Sequence, residues 1–221
     1  MKLLSIAIPC YNSQDYMRHA IETLLAGGED VEILVVNDGS KDGTWDIISS
    51  LCAEDSLFAG INLSRNRGHQ NALLAGLMTA KKYADAAISL DADLQDDVDV
   101  VEKMVDNFLA GDDIVYGVRS SRKTDTFFKR FTAEGFYKFM AAMGVEIVFN
   151  HADYRLMSRR ALEALSEFEE VNLFLRGIVP QIGFKTSTVE YERKERLAGE
   201  SKYPLKKMIS FAFEGITSFS V

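Results

Sequence analysis

Strand-like apolar runs alternate along the first half of this chain with segments whose apolar residues recur every three or four positions. The runs are Leu4 to Ile8, Val31 to Val36, Leu57 to Leu63, Ala86 to Leu90 and Ile114 to Val118. Between them, Gln14 to Leu25 (Met17, Ala20, Ile21, Leu24, Leu25), Thr44 to Leu51, Gln70 to Ala80 and Val98 to Leu109 read as helices. Continuous apolar runs of strand length suit strands buried on both faces. Their alternation with helices predicts an α/β chain with a mostly parallel sheet, helices on both faces and right-handed crossovers. The second half is less regular. Thr126 to Met143 reads as a long amphipathic helix, Tyr154 to Met157 as a short strand, Arg159 to Leu165 as a short helix and Phe184 to Tyr191 as a strand. Pro204 opens a last helix at the position where proline is tolerated.

In an open α/β sheet, ligands sit at the carboxyl ends of the strands. The run Ala86 to Leu90 ends there in Asp91-Ala92-Asp93-Leu94-Gln95. Two carboxylates one residue apart, with an amide oxygen close by, suit a hard divalent cation such as Mg²⁺ or Mn²⁺, which would in turn hold a diphosphate. The alternative is that Asp91 caps the next helix and Asp93 is a solvated loop acid. Two other strand ends are expected at the same rim: Pro9-Cys10-Tyr11-Asn12 and Asn37-Asp38-Gly39-Ser40. Tyr11 offers a flat face and a hydroxyl. Asp38 can accept from a base N–H or a ribose hydroxyl, or can cap its own turn. Ser64-Arg65-Asn66-Arg67-Gly68-His69, between a strand and a helix, makes an anion-binding corner, with Arg65 or Arg67 as the diphosphate contact. His69 reads as a structural hydrogen-bonding residue, since no Ser or Cys nucleophile accompanies it. No P-loop and no G-x-G-x-x-G follows the first strand, so neither phosphate cradle is expected.

Composition narrows the partners. The 221 residues carry a net charge of -8, which argues against nonspecific nucleic-acid binding. Six basic and three acidic residues nevertheless crowd Glu192 to Lys207. Cys10 and Cys52 lack any metal or redox spacing and read as reduced core thiols. No run reaches the roughly 18 apolar residues of a membrane span, so this chain is expected to be soluble.

Pro9-x-Tyr11-Asn12, Asn37-Asp38-Gly39-Ser40-x-Asp42-Gly43-Thr44, Asn66-x-Gly68 and Asp91-Ala92-Asp93-Leu94-Gln95 together resemble glycosyltransferase family 2, with the GT-A fold. Gly68-His69-Gln70-Asn71-Ala72-Leu73, Asp153-Tyr154-Arg155-Leu156-Met157-Ser158-Arg159, Phe174-Leu175-Arg176-Gly177 and Arg196-x-x-Gly199-Glu200-Ser201-Lys202-Tyr203 narrow the likeness to polyprenyl-phosphate glycosyltransferases. These include dolichol-phosphate mannose synthases and bactoprenol glucosyltransferases. The resemblance implies a catalytic domain over residues 1–200 and an interfacial C-terminal helix over 201–221 that leads into membrane helices. It implies an inverting transfer from a nucleotide sugar, with a UDP-sugar such as UDP-glucose the first choice and GDP-mannose the second, to a polyprenyl phosphate at the cytoplasmic membrane face. It also implies site roles. Pro9, Tyr11, Asn12 and Asp38 would contact the nucleoside. Asp91 would lie near the ribose and the metal, Asp93 and Gln95 would bind the metal, Arg119 and Arg196 would neutralise phosphates, and Ala92 and Arg67 belong to the expected substrate-binding set. Arg155, Ser201 and Lys202 complete the expected substrate-binding set. Asp153, beside the acceptor, would act as a base, orient the sugar, or hold Arg155 in an ion pair. Prolines often follow the acidic run in that family; Asp97 and Val98 stand there in this chain. Two other readings remain beside this one: a soluble family member acting on a sugar or protein hydroxyl, and a non-enzymatic nucleotide-sugar binding module.

Leu205, Met208, Ile209, Ala212, Phe213, Ile216 and Phe219 fall near one face of the last helix, with Lys202, Lys206 and Lys207 at its start. Basic residues beside an apolar face suit an anionic membrane surface. The same face would also serve packing on the core or on a second subunit, so a homo-oligomer is an alternative use. The membrane reading predicts that Lys206→Glu with Lys207→Glu weakens liposome binding in flotation assays while nucleotide binding stays intact. Equal flotation of the two proteins would refute it.

Overall fold

The computed structural model describes residues 2–24, 31–93, 95–120, 151–168 and 174–192. In these segments the chain runs β1 (Lys2–Cys10), α1 (Met17–Leu24), β2 (Val31–Asn37), α2 (Thr44–Glu54), β3 (Phe58–Asn62), α3 (His69–Ala80) and β4 (Ala84–Ser89). A 3₁₀ turn, Val98–Val100, leads into α4 (Val101–Leu109), followed by β5 (Ile114–Arg119), β6 (His151–Ser158), α5 (Arg159–Leu165), α6 (Leu175–Gln181) and β7 (Thr186–Tyr191). The expected helices over Thr126 to Met143 and from Pro204, and the expected boundary at residue 200, lie outside the described residues.

The strands form one sheet in the order β3-β2-β1-β4-β6-β5-β7. β1 pairs in parallel with β2 and β4, β2 with β3, and β5 with β7, whereas β6 runs antiparallel between β4 and β5. The sheet is thus mostly parallel, as its sequence pattern predicts. Alternation of side chains along each strand divides the core into two layers. Leu4, Ile6 and Ile8 of β1, Ile33 and Val35 of β2, and Ala86 and Ile88 of β4 pack with Met17, Ile21, Ile48 and Met104 of α1, α2 and α4. Ala7, Leu34, Ala87, Ile114 and Tyr116 point the other way, toward Leu73 and Leu77 of α3, Leu162 of α5 and Ile178 of α6.

Several boundaries differ from the sequence reading for local reasons. The first helix starts at Met17 instead of Gln14, because Gln14 belongs to a loop contact: its N–H donates to Asp42 and its amide oxygen accepts from Gly43. Asp97 caps the 3₁₀ turn that precedes α4 by accepting from the Asp99 N–H. β6 is longer than the expected Tyr154 to Met157, because it finds partners on both sides, in β4 and β5. The last strand starts at Thr186 instead of Phe184, where it aligns with Ile114 of β5. Helix α6 was not expected at all. Gly177 and Pro180 fall within its seven residues, and both count against helix in a propensity reading.

α3 lies close on β1 and β2 because Gly76 has no side chain. A Cβ there would sit 3.0 Å from Val36 Cγ2 and 3.1 Å from Ala7 Cβ. This contact holds the helix whose first turn enters the site described below. Gly76→Val is therefore expected to destabilise the fold by about 1–3 kcal/mol through overpacking, measured as a lower urea midpoint at unchanged m-value.

Candidate active site

The carboxyl ends of β1, β2 and β4 meet at one rim of the sheet, as the crossover rule requires. Pro9 lies beyond the last β1–β4 pair, Ala7 with Ser89, so its missing N–H costs no ladder bond on that side. The two loops that follow β1 and β2 brace each other. Asn12, left-handed at φ 49°, accepts from the Lys41 N–H through its side-chain oxygen at 2.9 Å. Its own N–H donates to Ser40 Oγ at 3.0 Å, and the Ser13 N–H donates to Thr44 Oγ1 at 2.8 Å. Tyr11 stands out from this braced pair of loops with 43% of its surface exposed.

Asp38 is buried, and both of its oxygens serve the loop before α3. The Arg67 N–H donates to Oδ1 at 2.6 Å and the Gly68 N–H to Oδ2 at 2.9 Å. The carboxylate thus caps a loop about thirty residues away in sequence instead of its own turn. A nucleoside would have to use the remaining lone pairs of these oxygens. Gly39 makes the approach possible. At φ +65° it occupies the left-handed region, and a Cβ would collide with the backbone of Arg65 and Asn66. Arg65, Asn66, Arg67, Gly68 and Asn71 line an open cleft beside these loops, with both arginines exposed.

The end of β4 carries the acidic loop. Ala92 is buried, Asp91 and Asp93 are half-buried, and the Gln95 N–H donates to Asp93 Oδ1 at 3.2 Å. Asp96 is buried and accepts from the Tyr191 hydroxyl. Arg119 Nε donates to that same hydroxyl at 3.4 Å, and its Nη2 lies 3.8 Å from Asp96 Oδ1. Arg119, expected to face phosphates, is thus anchored on the acidic loop through Tyr191. Burial and the neighbouring Asp91 push Asp96 up to about 6, against the Tyr191 hydrogen bond and Arg119. Burial and the negative charges of Asp153 and Asp93 push Asp91 up, against His69. The end of β4 therefore concentrates like charge, an arrangement that a divalent cation would relieve. Among the described residues no three His, Cys, Asp or Glu side chains close around a single point as a metal cage would. Hard oxygen donors without a full protein cage fit a cation that shares its shell with substrate phosphates.

Asp153, on β6, is the most heavily bonded acid of the site. Arg155 Nη2 donates to Oδ1 at 2.8 Å. Arg176 donates through Nε to Oδ1 at 3.3 Å and through Nη2 to Oδ2 at 3.2 Å. Gln70 Nε2 reaches Oδ2 at 3.2 Å, and His69 Nε2 stands 3.7 Å from it. Arg155 is 1% exposed and also donates through Nη1 to the Leu175 carbonyl. Burial alone would raise the Asp153 pKa, but Arg176, His69 and Arg155 overcome it and hold the carboxyl well below the usual aspartate range. A carboxylate that binds protons so weakly, with its oxygens already engaged, is a poor general base. Of the three expected roles, the geometry favours the ion pair with Arg155.

His69, Gln70, Asp96, Arg176 and Tyr191 were not expected as site residues. Asp96 follows the acidic run directly, and Gln70 and Arg176 lie in motifs that carry the family likeness, so a signal existed. No sequence spacing, however, links Asp96 to Tyr191. Arg196, Ser201 and Lys202 lie outside the described residues.

The Asp153–Arg155 pair makes a direct prediction. Asp153→Asn leaves a buried guanidinium without its counter-charge and should cost roughly 3–5 kcal/mol at neutral pH by urea denaturation. Because the folded state holds Asp153 below its ordinary value of 3.8, its contribution is complete above that value and is lost as pH falls through the folded pKa. The gap between wild type and variant should therefore narrow on strong acidification.

Known proteins share both the sequence and the fold. The family description "Glycosyl transferase family 2" matches residues 5–166. The uncharacterized glycosyltransferase YkoT of Bacillus subtilis is 53% identical, over 99% of this chain and 68% of its own length. A prophage bactoprenol glucosyl transferase homolog of Escherichia coli is 41% identical, over 98% of this chain and 72% of its own. Among solved structures, glucosyl-3-phosphoglycerate synthase from Mycobacterium tuberculosis, crystallised with Mn²⁺, UDP and phosphoglyceric acid, superposes with a TM-score of 0.63 at 15% identity. That alignment covers 100% of this chain and 79% of the synthase. The mannosyltransferase PcManGT from Pyrobaculum calidifontis, in complex with GDP-Man and Mn²⁺, gives 0.62 at 18% identity, over 90% of this chain and 58% of its own. At such identities the structural likeness speaks for the GT-A fold alone. With the family match spanning most of its length, this chain is a family 2 glycosyltransferase of the GT-A fold.

Proposed function

We propose that the chain transfers a sugar from a UDP-activated donor, UDP-glucose by first choice, to a polyprenyl phosphate at the cytoplasmic face of a membrane. The observation that carries this reading is the state of Asp153. The acid nearest the expected acceptor is fixed by two arginines and held below the range of a working base. A sugar or protein hydroxyl needs such a base. A phosphate monoester does not, because its second pKa is about 6 and it is already largely ionised near neutrality. The bactoprenol glucosyl transferases among the relatives support the same acceptor class.

In this reaction an oxygen of the lipid phosphate attacks the anomeric carbon, and the bond from that carbon to the nucleoside diphosphate breaks. The family resemblance implies inversion, giving a β-linked product from an α-linked donor. Asp93 and Gln95 would hold Mg²⁺ or Mn²⁺, and a bound divalent cation supplies positive charge to the departing diphosphate. Asp91 and Ala92 would lie by the ribose. Tyr11 presents a face to the base, while Pro9, Asn12 and Asp38 keep the two nucleoside loops in place. Arg67, and by resemblance Arg196, would add positive charge along the diphosphate. Arg119 would act by holding the acidic loop. Among the described residues no helix is long and apolar enough to cross a membrane. Contact with lipid is assigned to Ser201, Lys202 and the basic, apolar C-terminal segment on sequence grounds.

The test is a transfer assay with radiolabelled UDP-glucose, Mn²⁺ and polyprenyl phosphate in mixed micelles. A labelled glycolipid is expected, and Asp93→Asn should lower its rate of formation by about a hundredfold or more, the scale of losing electrostatic stabilisation of the leaving group. Transfer to a free sugar hydroxyl, with none to the lipid, would overturn the acceptor assignment.

A further inference from the structure

One imidazole nitrogen is shared between two carboxylates that belong to different parts of the site. His69 opens α3, and its Nε2 lies 3.5 Å from Asp91 Oδ1 and 3.7 Å from Asp153 Oδ2. Asp91 follows β4 on the acidic loop, while Asp153 lies in β6 within its arginine cluster. Both separations are ion-pair distances, longer than tight hydrogen bonds. Without a positive group between them the two acids repel each other, and Asp93 adds to the repulsion on Asp91. The next residue fixes where His69 sits. Gln70 donates to Asp153 and accepts from the Leu175 N–H, so the first turn of α3 is tied to β6 and to α6. Burial disfavours the imidazolium and Arg176 opposes it, but Asp153 and Asp91 prevail and push His69 up to about 9. The group is therefore positively charged at neutral pH.

We propose that His69 is a positioning residue that holds the donor-side carboxylate of Asp91 at a set distance from the Asp153 cluster, by placing one nitrogen between the two acids. The proposal rests on the reading above that Asp91 faces the nucleotide sugar. His69 does not touch the reacting atoms. It fixes the geometry of an acid that does approach the donor, and it offsets charge at a rim that must also accept a diphosphate. Replacing it frees Asp91 to swing away from Asp153, and donor binding weakens while the sheet and its core stay intact.

Two measurements test this. In the ligand-free protein, NMR titration of the His69 ring should give a midpoint near 9, and Asp91→Asn should lower it. An unmoved midpoint in that variant would show that the pairing does not exist. Calorimetric titration with UDP-glucose and Mn²⁺ should find His69→Ala weakened by about tenfold, the scale of losing one charge-assisted contact. His69→Gln, whose amide can donate from nearly the same place, should recover most of the lost affinity, although both variants lose the imidazolium between the two acids and should melt somewhat below the wild type. Unchanged affinity in His69→Ala would overturn the proposal. So would equal weakening in both variants, with no rescue by glutamine, the mark of a merely structural role. Absence of nucleotide-sugar uptake by the wild type would instead overturn the donor assignment, while the ring titration would still decide the His69 pairing.

Discussion

The site is organised around a charge that the fold has placed almost entirely out of water. Arg155 is 1% exposed on a central strand, and its counter-charge, Asp153, sits two residues earlier on the same face. An isolated charge at that depth would cost several kcal/mol in lost hydration, so the pair must be complete and further hydrogen-bonded to be tolerated. The completing groups come from two helices: Gln70 and His69 from α3, and Arg176 together with the Leu175 carbonyl, which accepts from Arg155, from α6. The Ser89 hydroxyl of β4 adds a bond to the Asp153 carbonyl. These bonds around one buried pair, which leave Arg155 Nε without a hydrogen-bond partner among the described residues, tie β4, β6, α3 and α6 together.

The rim where a donor would bind is shaped by bonds of a different kind. There the loops after β1 and β2 exchange backbone and side-chain hydrogen bonds, and Asp38 caps the loop ahead of α3. Polar groups at this rim act largely on one another, which leaves Tyr11 presented above a hydrogen-bonded pair of loops. The acidic loop is anchored at its far end through Asp96, Tyr191 and Arg119. The rigid parts of the site are neutral or paired. Negative charge gathers at Asp91 and Asp93, with His69 beside Asp91, where a cation and a diphosphate are expected together.

Much of this was legible from residue order. The strand-like runs and helical spacings located nearly every element of the described first half, because strand and helix each impose their own period on buried side chains. The acidic run after β4 was visible as a candidate site because the parallel arrangement sends the carboxyl ends of strands to one rim. Asp153 and Arg155 could be seen to share a face, since side chains two apart on a strand do. Helix α6 was hidden by Gly177 and Pro180, whose unfavourable propensity is overridden by burial of Leu175, Ile178 and Val179 against the sheet. The longer extent of β6 was hidden because it depends on partners on both sides.

By itself, then, the sequence determined the α/β class, the mostly parallel sheet, the family and the group of acids at the end of β4. These depend on local periodicity and on motifs read along the chain. Only the tertiary structure decided that Asp38 serves a distant loop, that Arg119 is tied to Asp96 through Tyr191, that Asp153 is locked between arginines, and that His69 stands between two acids. Apart from the Asp153–Arg155 pair, each of these facts is a distance between residues far apart in sequence. Such distances set charge, hydration and proton affinity, and no spacing along the chain encodes them.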